Sequence, residues 1–183
     1  MTITADPHMI DALAPAAALD AMSRHTSAPR RIVGNFVFYA GVETVFERMT
    51  DPNQIAGWMG PISHGSVDHS ASENAGDWGA GSKRFCHTTN MGVLDESIAE
   101  FRPLSFVVYK IKHDKMPIKD HTGYMRFTAD GPRRTEVEWA QYFNFKPGLM
   151  RFLFPMMMRK MMNDGMVELR KELGGEPGAA RSV

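Results

Sequence analysis

The sequence predicts an α+β fold in which a curved antiparallel sheet lies against one long C-terminal helix. Three observations carry this. Residues 148–173 place apolar side chains at Phe154, Met158, Met161, Met162, Met166, Leu169 and Leu173, which is helical spacing. Residues 82–145 read instead as five successive strands, joined by turns so short that neighbours must run antiparallel. Ahead of them stand an early strand and two short helix signals.

In chain order, residues 1–29 are rich in alanine and broken by Pro7, Pro15 and Pro29, which predicts an N-terminal arm, partly disordered, with one short helix over 16–22. The domain proper is expected over 30–173. Arg30–Tyr39 is a strand by its β-branched and aromatic content. Val42, Val45, Phe46 and Met49 then recur at helical spacing. Asp51-Pro52-Asn53-Gln54 starts a second short helix, with Asp51 as the cap and Pro52 in the first helical position. A strand is expected over 62–67, followed by a polar loop to about residue 78. The five strands fall at about 82–89, 92–101, 104–113, 119–129 and 133–145. Lys146-Pro147-Gly148 ends the last of them, and Pro155 should start or kink the long helix because it has no N–H to donate. Gly174-Gly175 stops the helix and leaves 174–183 as a flexible tail.

Composition excludes several functions. Twenty-one basic residues balance 21 acidic ones, so the net charge is zero and the basic surplus of a nucleic-acid binder is missing. Neutrality keeps repulsion between copies low, which is compatible with a homodimer. The lone Cys86 allows no disulfide framework and no cysteine-based zinc site, and it points to a reducing, cytoplasmic setting. No integral membrane segment is expected, because the run over 149–162 is broken by Arg151, Pro155, Arg159 and Lys160.

Several local patterns resemble a known family. They are Val45-Phe46-Glu47-Arg48-Met49-Thr50-Asp51-Pro52 with Trp58, then Glu96–Leu104 leading to Val108-Tyr109, then Gly123–Thr128 with Thr135–Trp139, and the closing helix. Together they resemble the START-like or Bet v 1-like (SRPBCC) superfamily, in particular its polyketide cyclase/dehydrase and lipid-transport members. The resemblance spans about residues 30–173 and implies a helix-grip fold, with a ligand held between sheet and helix. The family shares a pocket and no catalytic motif, so the resemblance implies no particular reaction. Met156–Met158 and residues 1–29 lie outside it.

Strand parity names the expected cavity wall, since alternate side chains face the same way. Lys110 and Lys112 should face out, placing Val107, Tyr109, Ile111 and His113 inside. The inward sets of the next two strands are His121, Gly123, Met125 and Phe127, and Val137, Trp139, Gln141, Phe143 and Phe145, with Tyr124 and Arg126 in solvent. Leu94 and Ile98 look internal, which brings Glu96 in with them, although Phe101 then falls on the wrong face. Tight turns would set Glu96 beside Tyr109, His121 opposite Gln141 and Gly123 opposite Trp139.

A few polar groups on an apolar wall describe a small-molecule site. The expected function is to bind a hydrophobic small molecule, lipid-like, polyketide-like or aromatic, on Trp58, Tyr109, Met125, Trp139, Gln141, Phe143, Met157 and Met161, with no cofactor. Two alternatives stand beside it. One is a cyclase or dehydratase with Glu96 and His121 as acid and base, opposed by a purely structural pairing of Glu96 with Arg84 or Tyr109. The other is a protein-interaction module whose pocket has collapsed.

Other motifs fail on chemistry. Gly76–Lys83 has serine before lysine and no helix after it, so it is not a phosphate loop. The histidines lack metal-ligand spacing, and only His113 and His121 are placed to meet across one hairpin. Cys86 has no base beside it, because His87 points to the opposite face. Met156, Met157 and Met158 cannot all face one way, so at least one should line an opening or meet a partner.

Overall fold

The computed structural model describes residues 22–183. The expected helix over 16–22, save its last residue Met22, and most of the arm therefore lie outside the described residues. The elements are β1 (Arg30–Phe38), α1 (Val42–Thr50), α2 (Pro52–Ile55), β2 (Ile62–Asp68), β3 (Lys83–Thr88), β4 (Gly92–Arg102), β5 (Phe106–Lys112), β6 (Ile118–Ala129), β7 (Thr135–Phe145), α3 (Met150–Leu173), β8 (Gly175–Glu176) and β9 (Ala180–Ser182). All nine strands form one antiparallel sheet in the order β2-β3-β4-β5-β6-β7-β1-β8, with β9 also on β1. This is a helix-grip architecture.

The local causes are those of the sequence. The Asp51 carboxylate accepts the Asn53 N–H and caps α2, with Pro52 in the first turn. In α3 the buried positions are Met158, Met162, Gly165, Met166 and Leu169, one stripe at helical spacing. Gly165 lets the helix approach Trp58, whose ring carbons would lie 3.1 Å from an added Cβ. Trp58 is fixed in turn by its indole N–H, which donates to the Arg48 carbonyl at 2.8 Å, and by an edge contact with Trp139. Pro155 lies inside α3, one turn from its start, and does not end it.

Three expectations are corrected. The C-terminal residues are not a flexible tail. Glu176 and Gly175 pair with Val37 and Phe38, and Ser182, Arg181 and Ala180 pair with Ile32, Val33 and Gly34, so both segments cover the outer edge of β1. Tyr124 does not face solvent. It is buried on the outer face of the sheet with Val33, Phe106, Val108, Ala140 and Tyr142, beneath Met22 and Ala28. His25 Nε2 donates to the Glu100 carboxylate at 2.8 Å and helps hold this segment on the sheet.

The third correction is register. Glu96 pairs with Ile111 and Ile98 with Tyr109, while Gly123 pairs with Gln141 and Met125 with Trp139. The connections are wider than tight turns, since the last ladder pairs are Arg102↔Phe106 and Ala129↔Thr135. Each shift amounts to two residues, and a two-residue shift preserves which face a side chain occupies. The assignment of inner and outer faces therefore survives the wrong register.

Candidate functional site

A cavity of about 460 Å³ opens between the sheet and the first half of α3. Its wall is mostly apolar. Of the residues expected there, Trp58, Tyr109, Met125, Trp139, Gln141, Met157 and Met161 line it, together with Glu96 and His121. Phe143 does not. It is fully buried behind the wall, with edge contacts to His121, Phe145 and Phe154. Phe154 takes the lining position instead. Sequence parity correctly turned Phe143 inward but could not show that another ring would cover it.

The polar groups of the cavity form two systems. The first is the pair Arg84–Glu96. Both are buried, and Glu96 Oε2 accepts from Arg84 Nε and Nη2, each at 2.7 Å. Arg84 Nη1 donates to the Thr50 carbonyl at 3.0 Å, and the guanidinium lies 4.8 Å from the Tyr109 ring centroid. Burial alone lowers the Arg84 pKa, but the Glu96 carboxylate leads the neighbours that outweigh it, and the net shift is upward. Arg84 and Glu96 face each other across β3 and β4 in direct register, which is why they meet.

The second system is a hydrogen-bonded chain on β5, β6 and β7. The Trp139 indole N–H donates to the Tyr109 hydroxyl at 2.9 Å, and Gln141 Nε2 donates to the same oxygen at 3.1 Å. Gln141 Oε1 sits 2.8 Å from His121 Nε2, which is the donor because an amide oxygen can only accept. His121 Nδ1 is then the unprotonated ring nitrogen, and it has no hydrogen-bond partner among the described residues. Burial drives the His121 pKa down to about 4, against a smaller upward pull from Gln141. The Tyr109 hydroxyl is pushed up to about 12, by burial first and by the Glu96 charge second. Near neutral pH the chain thus carries no charge.

A bulge positions His121. The β6–β7 register shifts between Lys119 and Thr122, and Asp120 has φ of 55°. Another, between Ile98 and Glu100 on β4, explains Phe101. It turns inward beyond the extra residue and packs on Phe46 and Trp78. Neither bulge had a glycine or proline to announce it.

Cys86 also lines the cavity, but burial raises its thiol to about 12 and leaves it un-ionised. His113 does not meet His121, since its Nε2 lies 2.9 Å from the Met91 carbonyl. Among the described residues no group of three or more His, Cys, Asp or Glu side chains is placed to hold a metal ion. No described helix is long and apolar enough to cross a membrane.

Solved structures share this fold. A protein from Bacillus cereus superposes with a TM-score of 0.60 at 13% identity, over 77% of this chain and 93% of its own. A START superfamily protein from Mycobacterium smegmatis gives 0.54 at 15% identity, over 77% and 92%. An HSP90 activator from Plasmodium falciparum gives 0.57 at 15% identity, over 82% and 99%. At such identities the likeness carries the fold alone. No curated protein matches the sequence. The family described as polyketide cyclase/dehydrase and lipid transport matches residues 30–174, which hold the sheet from β1 to β7, the cavity and its gripping helix, and the chain belongs to that family.

Proposed function

We propose that this protein binds an apolar small molecule with one neutral hydrogen-bonding end, held between the sheet and α3. The observation that carries the reading is the cavity of about 460 Å³ with its uncharged chain Trp139–Tyr109–Gln141–His121. His121 Nδ1 is a buried acceptor with no partner among the described residues, and the Tyr109 hydroxyl, which accepts both bonds of the chain, keeps its own proton to donate. A hydroxyl or un-ionised carboxyl group suits this pair. An anion does not, because the buried cation of the wall, Arg84, is already neutralised by Glu96.

The same geometry weighs against the acid–base alternative. Glu96 is engaged by Arg84 and is not an acid poised on a substrate. A histidine with a pKa of about 4 is a weak general base at neutral pH but a serviceable hydrogen-bond acceptor. The collapsed-pocket alternative is opposed by the open cavity.

The test is a titration with a long-chain alcohol, the matching carboxylate and the matching alkane, followed by tryptophan fluorescence, since Trp58 and Trp139 line the wall. The alcohol should bind about fivefold to tenfold tighter than the alkane, the worth of one neutral hydrogen bond, and the carboxylate should gain nothing over the alcohol. Failure of all three to bind would remove the reading. Equal affinity of alcohol and alkane would remove its polar end.

A further inference from the structure

We infer that the start of α3, at the mouth of the cavity, is a docking surface for an anionic lipid bilayer. The observation is an unusual run of exposed apolar side chains. Leu149 is 81% exposed, Phe152 65%, Met157 55% and Met156 53%, with Met150 and Leu153 also exposed. Single exposed apolar residues are ordinary, but a contiguous patch marks a surface that meets something. The helix has no need of these residues for its own packing. Its buried stripe begins at Met158, and α3 covers the core from there to Leu169.

Charge selects the occupant. From Lys146 to Asn163 the chain carries Lys146, Arg151, Arg159 and Lys160 and no acidic residue, in a protein whose net charge is zero, and of these Lys160 is paired with Asp164 at 2.6 Å. Arg151 is exposed and lies over the Phe152 ring, 4.6 Å from its centroid. Apolar side chains flanked by arginine and lysine match the interface of an anionic bilayer, where the rings enter the acyl boundary and the cations stay among headgroups. A second copy fits poorly. A symmetric contact would set one cation-bearing surface, with Arg151 and Arg159, against the same surface of the other copy.

Position adds a third argument. Met157 and Lys160 belong to this surface and also line the cavity, as do Phe154 and Met161 between and beside them. The patch therefore surrounds an opening, and a bilayer seated on it would face the cavity directly. Pro155 lacks an N–H for the Arg151 carbonyl, so the turn that carries Leu149–Leu153 is held by one main-chain bond fewer than a continuous helix. The inference stands on the surface alone and does not require a ligand in the cavity.

The experiment is co-sedimentation of the full chain with vesicles of phosphatidylcholine alone and of phosphatidylcholine mixed equally with phosphatidylglycerol. Binding to the mixed vesicles should exceed binding to the neutral ones and fall as salt is raised. Phe152→Glu with Met156→Glu should weaken it by about tenfold or more. Arg151→Glu should weaken it by about fivefold or more, since it removes one cation and adds one anion. Val167→Glu, on the exposed face of the distal half of α3, should leave it unchanged. Circular dichroism and thermal melts check that each variant folds. Equal binding by wild type and the Phe152/Met156 variant would overturn the inference, as would absence of binding to either vesicle. A concentration-dependent dimer abolished by the same variant, without vesicle binding, would overturn it in favour of self-association.

Discussion

Gly123 shows how one residue sets the chemistry of the cavity. A Cβ built there would lie 2.1 Å from Cζ of Tyr109 and 2.4 Å from its hydroxyl, so the ring rests on bare backbone. Gly123→Ala should push Tyr109 off the oxygen position that collects the Trp139 and Gln141 hydrogen bonds. The expected cost is about 1–3 kcal/mol of stability in a denaturant titration, the usual range for overpacking. The Arg84–Glu96 pair makes a second case. Glu96→Leu alone leaves a buried guanidinium uncompensated and should cost about 3–5 kcal/mol, whereas the double variant with Arg84→Met should recover much of it. A double-mutant cycle on urea midpoints checks this, and equal losses for the single and the double would refute it. His121 supplies the pH dependence. Its folded pKa of about 4 lies below the unfolded value of 6.5, so the unfolded chain takes up a proton first as pH falls. Its share of the stability is whole above pH 6.5 and is lost down to pH 4, amounting to about 3 kcal/mol from the size of the shift. His121→Gln should flatten that part of the stability profile. An unchanged slope would mean that His121 is not buried neutral.

At the scale of elements, what could be read from the sequence followed from period. Strands β3 to β7 and helix α3 declared themselves because alternation and helical spacing are local, and so did the capped start of α2 at Asp51-Pro52. Register did not, because it depends on how wide the connections are and on bulges at Ala99 and near Asp120, which left no mark in residue type. The faces were still right, so Glu96, Tyr109, His121 and Gln141 were brought to one cavity although their ladder partners were misassigned. The C-terminal strands were missed for a related reason. Ala180–Ser182 is too short and too polar to look like a strand, and it is one only because β1 offers an unpaired edge and Asn163 Oδ1 accepts the Ala180 N–H at 2.7 Å. This makes a prediction for the edge. Truncation after Glu176 should bare the β1 amides around Ile32–Gly34, and their hydrogen exchange should quicken by about tenfold or more if local opening becomes cheaper by ~1.4 kcal/mol. Exchange that stays at the full-length rate would show that β9 adds no protection.

For the whole molecule, the open cavity is a cost in packing. A chain of this size packs one core, and the main cluster runs from Ile32 to Ala180 around α1, α2 and α3. Yet a space of about 460 Å³ is left beside it, walled by side chains that leave their inner surfaces without partners. A protein selected for stability alone would fill such a space. Stabilising substitutions commonly add about 0.5–2 kcal/mol and tend to cost activity where a site needs room. Met161 is the place to test this, because it lines the cavity and is only partly buried, so a larger side chain has somewhere to go. Met161→Trp should hold or raise the thermal midpoint, by a few degrees at most, while cutting uptake of the long-chain alcohol by about tenfold or more. The two readouts separate the causes. A variant that loses both stability and uptake has disturbed the helix packing and says nothing special about the space. One that gains stability and keeps full uptake would show that the ligand site lies elsewhere, and the reading of this cavity as the binding site would fall with it.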